Sequence, residues 1–403
     1  MPSINSLLKI YVMVFPIYMF GIEIGTYLLT PAVVVGLMLA WRGLLRSWFV
    51  RIDILLIMII YITVSILVLL SYGKDINIFS MASLLAMFFP LTFKYQAADI
   101  EDLDRFIVYG LYITIPLLLY DYSVTIFNSV PIAKNFVEQD TRLSNYFIAG
   151  VYRVKSTFDE PSLYAIYLSL ILYTLWSLDY KKYRIHGYLI IVVILSTISL
   201  IGVVLLSFAL VLFSGNQANI LKRLAIMLSI VLVFYMTNTK LYNNIYNRME
   251  KTFDTLVHFN ISGSEGSRAN SSILMIKYYK DSELTKILVG EGYDHYSSWA
   301  KQKFSDRNSV NVSYARGHIN NIIAIVGIST GILGLVIYYF LYYTLLYRKL
   351  IDKQDLIFII LVQLSFGFFI SYYYWGIILI IIIKNKILEI HNNENLHIRY
   401  DLR

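Results

Sequence analysis

The sequence predicts an all-α polytopic integral membrane protein, with about twelve transmembrane helices and two large extracytoplasmic loops. Three observations carry that expectation. Only 15% of the 403 residues are charged, against roughly 25% in a soluble chain. The chain is 58% hydrophobic with a mean hydropathy of +0.63, and apolar runs of membrane-spanning length recur along it. Lysine and arginine also gather in alternate connections between those runs. A soluble chain of this length would divide into two or three domains, but successive spans are expected to pack as one bundle over residues 1–403.

A helix needs about 20 apolar residues to cross a hydrocarbon core of ~30 Å. The runs that qualify are 7–22, 26–41, 52–71, 76–93, 105–127, 161–178, 185–198, 200–214, 221–237, 321–347, 355–372 and 374–391. The first has no signal-peptide cleavage pattern after it and is expected to remain as a helix. An even number of spans puts both termini on one side. On that side fall Lys9, Arg42, Arg46, Arg51, Lys94, Lys181, Lys182, Arg184, Lys222, Arg223, Arg348, Lys349, Lys353, Lys384 and Lys386. The short turns opposite hold only Lys74, beside Asp75. By the positive-inside rule both termini are cytoplasmic.

One stretch tests this parity. Residues 185–214 form a 30-residue apolar run, about 45 Å as one helix. A single span there would place Arg348 and its neighbours outside. Two short helices broken around Ser199–Gly202 keep them inside, and the charges favour the break.

The parity leaves 128–160 and 238–320 outside the membrane as long polar intervals. The second carries eleven Lys/Arg against eight Asp/Glu, a net charge of +3. Loops of such length are uncommon unless functional. Ser271–Lys280 and Ser282–Leu288 have helical spacing, and Gly290-Glu291-Gly292-Tyr293 reads as a turn. Many of the 35 tyrosines stand at span ends as an aromatic belt. The overall charge of +8 follows largely from topology, so a nucleic acid partner is not expected. Cysteine is absent, which excludes a disulfide framework and a thiolate metal site.

No Walker motif, GxGxxG, nucleophile elbow, HExxH or Cys/His cluster occurs, so neither a metal nor a cofactor is expected. Chemistry is therefore sought where loops meet the membrane. In Tyr152-Arg153-Val154-Lys155-Ser156-Thr157-Phe158-Asp159-Glu160-Pro161-Ser162 two cations and two carboxylates precede an apolar run. Pro161 suits the first turn of the helix that follows, and Glu160 falls where the helix dipole favours an anion. Such charges also serve as plain interfacial caps. The second loop re-enters through Tyr314-Ala315-Arg316-Gly317-His318-Ile319-Asn320-Asn321, ahead of Gly327, Gly331 and Gly334. Arg153, Lys155, Arg268 and Arg316 form a candidate diphosphate-binding set, because guanidinium groups grip phosphate in a bidentate fork. Glu160 and His318 are the candidate acid/base pair.

These stretches in this order resemble the Wzy family of O-antigen and capsule-repeat polymerases, which is related to the O-antigen ligases. The likeness covers roughly residues 140–345, through Arg153 to Ser162, the Ser196-Thr197-Ile198-Ser199 break, Gly290 to Tyr293, and His318 to Gly334. It implies a GT-C-like, metal-independent glycosyltransferase of the bacterial inner membrane with its active face periplasmic. Donor and acceptor would both be glycans on undecaprenyl diphosphate within the lipid bilayer, with a chain-length regulator as a further candidate partner. Arg153 and Arg268 would hold the donor diphosphate. Glu160 or His318 would take the acceptor proton. Arg316-Gly317-His318 also fits the ligase pattern, although Leu200 and Ile201 stand after Ser199 where ligases tend to carry arginine. A flippase or other transporter is the rival of a different class; span centres nearly free of charge argue for surface chemistry instead.

Overall fold

In the computed structural model the described residues are 2–17, 22–24, 27–45, 50–73, 88–127, 147–148, 151–158, 160–212, 266–292, 321–365 and 372–401, with isolated positions 243, 246, 247 and 250. They are mostly helical. Four helical stretches are long and apolar enough to cross a membrane: Ile52–Ser71, Ala97–Val124, Pro161–Asp179 and Ile322–Tyr347. The expected span 221–237, most of the expected span 76–93 and the second loop's exit at 293–320 lie outside the described residues. The chain forms two compact units, residues 1–47, 95–244 and 376–403 in the first and 48–94 and 245–375 in the second.

The first unit is built around the Pro161–Asp179 helix. Its residues from Pro161 to Trp176 are all buried, and a helix apolar on every face belongs in a core. The Leu103–Ile113, Arg184–Ser196 and Leu200–Leu212 helices pack against it. Gly202 permits the last approach, since a Cβ there would stand 2.7 Å from the Ala165 Cβ. The apolar run 185–214 is two helices, as the charge pattern predicts, with Ile198 at φ 49° in the break.

Two other expected spans are interrupted. The run 105–127 is two helices, Leu103–Ile113 and Ile115–Phe127. Pro116 has no N–H to continue the hydrogen-bond ladder, and the Thr114 N–H closes the first helix on Leu111 and Tyr112. The run 26–41 opens with the second strand of a short antiparallel hairpin, Tyr27–Leu29 paired with Ile22–Ile24. Its helix begins only at Pro31, capped by the Thr30 hydroxyl.

In the second unit the Ile52–Ser71 helix packs on Ile322–Tyr347, and Arg348 reaches Asp53 at 2.7 Å. The helical spacing in the second loop is realised as Gly266–Asp281 and Leu284–Val289. The long Ile322–Tyr347 helix is broken at Gly331, where φ is 62°. Its interrupted ladder is completed from outside. Glu291 N–H donates to the Ile328 carbonyl at 2.9 Å, and Gly292 N–H to Ser329 at 2.8 Å. The predicted turn at Gly290–Gly292 thus docks on the break.

Candidate functional site

The segment from Arg153 to Glu160 joins the Phe147–Ile148/Val151–Tyr152 hairpin to the most buried helix of the first unit. Its described residues form no helix or strand, so their backbone groups must find partners elsewhere. Asp121, 3% exposed, supplies them. Its Oδ2 accepts from the N–H of Lys155 at 2.9 Å and of Ser156 at 2.6 Å. Two consecutive donors converge on one oxygen because Ser156 takes a left-handed φ of 51°.

Further bonds fix each neighbour. The Ser156 hydroxyl donates to the Thr114 carbonyl at 2.6 Å, and the Thr157 hydroxyl to Pro16 at 2.6 Å. Phe158 N–H closes a turn on the Lys155 carbonyl, and its fully buried ring stacks on Tyr164 with centroids 5.5 Å apart. A segment held at this many points keeps its side chains in one arrangement.

Arg153 is half-buried and faces the helix break. Its Nε donates to the Thr197 carbonyl at 3.1 Å and an Nη to Ile198 at 3.2 Å. These carbonyls close the Arg184–Ser196 helix, where a cation meets the negative end of the dipole. Lys155 is only 1% exposed, so its ammonium is shielded from water. Glu160 is the N-cap residue of Pro161–Asp179 by backbone geometry, yet its carboxylate caps no backbone N–H. It accepts instead from the Ser162 hydroxyl at 3.2 Å. Pro161 at the first helical position leaves one fewer donor for it to cap.

The structure therefore sets Arg153, Lys155 and Glu160 on one anchored segment. Arg268 stands in the first turn of Gly266–Asp281, in the other unit. Arg316 and His318 lie outside the described residues. In the second unit the loop turn forms its own polar cluster. Lys286 pairs with the buried Glu291 at 3.1 Å, and the Tyr278 hydroxyl donates to the same carboxylate at 3.4 Å. Burial, with that carboxylate beside it, pushes the Tyr278 phenol well up.

The residue that sequence reasoning overlooks is Asp121. Its signal is present: it is the one acid in the apolar run 115–127, and an ionisable group inside a span is a functional candidate by default. Its partners lie 34 and 35 residues away, a separation no local pattern encodes. Among the described residues no group of three or more His, Cys, Asp or Glu could hold a metal ion. No protein-family model matches the chain, and no curated protein matches it significantly.

Proposed function

We propose that this chain is a membrane-embedded glycosyltransferase of about twelve spans that joins lipid-linked oligosaccharide repeat units into a polysaccharide at the outer face of the bacterial inner membrane. The observation that carries the reading is the rigid Arg153–Glu160 segment. It holds a half-buried guanidinium, a buried ammonium and a carboxylate at the head of a membrane-length helix, where a lipid diphosphate and a sugar hydroxyl would meet.

In the proposed reaction an acceptor hydroxyl attacks the anomeric carbon of the donor glycan. The bond from that carbon to the phosphate oxygen breaks, and undecaprenyl diphosphate leaves with the electron pair. Arg153 and Arg268 neutralise the charge developing on the leaving group, an effect commonly worth about 10²–10³ in rate per group. Lys155 adds positive charge from a site shielded from water, where electrostatic effects are stronger. Glu160 or His318 takes the acceptor proton, worth about 10²–10⁴. Arg316 belongs to the same phosphate-binding set.

Arg153→Ala and Glu160→Ala should each abolish long-chain polysaccharide while the protein still inserts at its normal level. A gel of extracted polysaccharide reads the result, and normal ladders from both variants would remove the site assignment. Arg153→Lys should fail as well, because an ammonium is a point charge and lacks the planar fork.

One observation favours a different class. Both units contain broken helices, at Thr197–Ser199 and at Gly331, and transporters build substrate sites at such breaks. A transporter would move a lipid-linked unit unchanged, so the appearance of new glycosidic bonds separates the two readings.

A further inference from the structure

Away from the Arg153 segment, the first unit contains a cavity of about 550 Å³, within the usual range for a small-molecule site. It opens where the Ala97–Val124 run begins, and its wall includes Lys182, just past the end of Pro161–Asp179. Those are the ends of two helical stretches long and apolar enough to cross a membrane, and with both of them spanning a bilayer the cavity would stand at headgroup depth. Its floor is apolar, formed by Ile100 and Ile387, both buried, with Ile390 beside them. Its polar lining carries both signs, with Glu101, Asp102 and Asp104 beside Arg105 and Lys182, and with the His391 imidazole as a further polar group.

The rim charges are partly engaged with one another. Lys182 pairs with Asp104 at 2.7 Å, and Arg105 with Asp102 at 3.3 Å. The latter pair is 64% and 44% exposed. Water-exposed pairs of that kind contribute little, so a ligand with both charges can replace the Arg105–Asp102 pair without net loss, while Lys182 keeps Asp104 and still has further ammonium hydrogens to donate. An anion alone would satisfy Arg105 and Lys182 but confront three carboxylates. A cation alone would do the reverse.

We propose that this cavity binds the headgroup of a zwitterionic phospholipid bearing a primary ammonium, the phosphoethanolamine class. Its phosphate meets Arg105 and Lys182, its ammonium donates to Glu101 and Asp102, and the start of its acyl chains covers the isoleucine floor. The depth of the cavity argues for a lipid, and the mixed rim for a zwitterion with donor hydrogens.

The test is native mass spectrometry of the full chain in mild detergent, after exchange into phosphatidylethanolamine, phosphatidylglycerol or phosphatidylcholine of matched acyl chains. Phosphatidylethanolamine should be retained about fivefold better than either of the others. Glu101→Gln with Arg105→Gln, both exposed positions, should reduce that preference below about twofold while the protein stays monodisperse. Equal retention, a preference for phosphatidylglycerol, or an unchanged preference in the double variant would overturn the proposal. Soluble phosphoethanolamine at millimolar concentration should fail to displace the lipid, and displacement would overturn its assignment to a membrane ligand.

Discussion

At the scale of single residues, Asp121 anchors the Arg153–Glu160 segment. A buried carboxylate is costly unless its oxygens are hydrogen-bonded, and here one oxygen fixes two consecutive backbone N–H groups of the Arg153–Glu160 segment. Asp121→Ala strands both donors, at about 1–3 kcal/mol each. Asp121→Asn keeps a carbonyl acceptor and should cost distinctly less. The thermal midpoint of the detergent-solubilised protein measures both, and equal losses would show that the two bonds do not hold the segment. Tyr183 gives a second check through pH. Burial first, then its bond to Asp104, pushes the phenol up to about 12, whereas an unfolded tyrosine ionises near pH ~10. The unfolded chain therefore loses this proton first and binds fewer protons, so stability falls as pH rises from about 10 to about 12. Tyr183→Phe should flatten that fall in a series of thermal midpoints.

The candidate charges were legible because Arg153, Lys155 and Glu160 crowd into eight residues. Their anchors were not, since Pro16, Thr114 and Asp121 reach them across long stretches of chain.

At the scale of elements, the informative features are the two helix breaks and what completes each one. Arg153 donates to the carbonyls of the first, and the Gly290–Gly292 turn donates to those of the second. The second depends on glycine on both sides. Gly290 has φ +78°, and a Cβ there would stand 2.4 Å from the Ser329 carbonyl carbon. Gly331 has φ +62°, and its Cβ would stand 2.4 Å from the Leu288 oxygen. Left-handed backbone alone costs alanine about 1–2 kcal/mol, and these contacts are with backbone that cannot swing aside. Gly290→Ala and Gly331→Ala should each destabilise by more than that and expose residues 266–292 to protease. Intact protection in both variants would contradict the docking.

Elements with local signals were readable. Pro161 marks a helix start, and helical spacing marks Ser271–Lys280 and Ser282–Leu288. The hairpin at Ile22–Leu29 was not, because its strands are only three residues each, and hydropathy assigns Ile22 and Tyr27–Leu29 to the ends of two neighbouring spans. The break at Thr114 was hidden for the same reason, although Pro116 announced it.

At the scale of the whole molecule, membrane character was legible from composition, and the described helices agree with it in four stretches of spanning length. Sidedness rests on the distribution of Lys and Arg alone. Because the chain has no cysteine, single cysteines can be placed in it without altering a background. Ser297→Cys should react with a membrane-impermeant maleimide in spheroplasts, and Ser3→Cys only after the membrane is opened. The reverse pattern would put the second loop in the cytosol and leave the proposed reaction without its substrates. Hydropathy could not reveal that the chain divides into two compact units, since unit membership depends on which helices touch.

The central claim is that the Arg153–Glu160 segment forms glycosidic bonds between lipid-linked repeat units, and the most direct measurement removes the membrane's sidedness. The purified full chain in micelles, supplied with a lipid-diphosphate-linked repeat unit, is resolved by gel and mass spectrometry. The account predicts a ladder of extended glycans from the unaltered chain, with none from Glu160→Ala or Arg153→Lys. A substrate that emerges unextended, or ladders from both variants that match the unaltered chain, would contradict it.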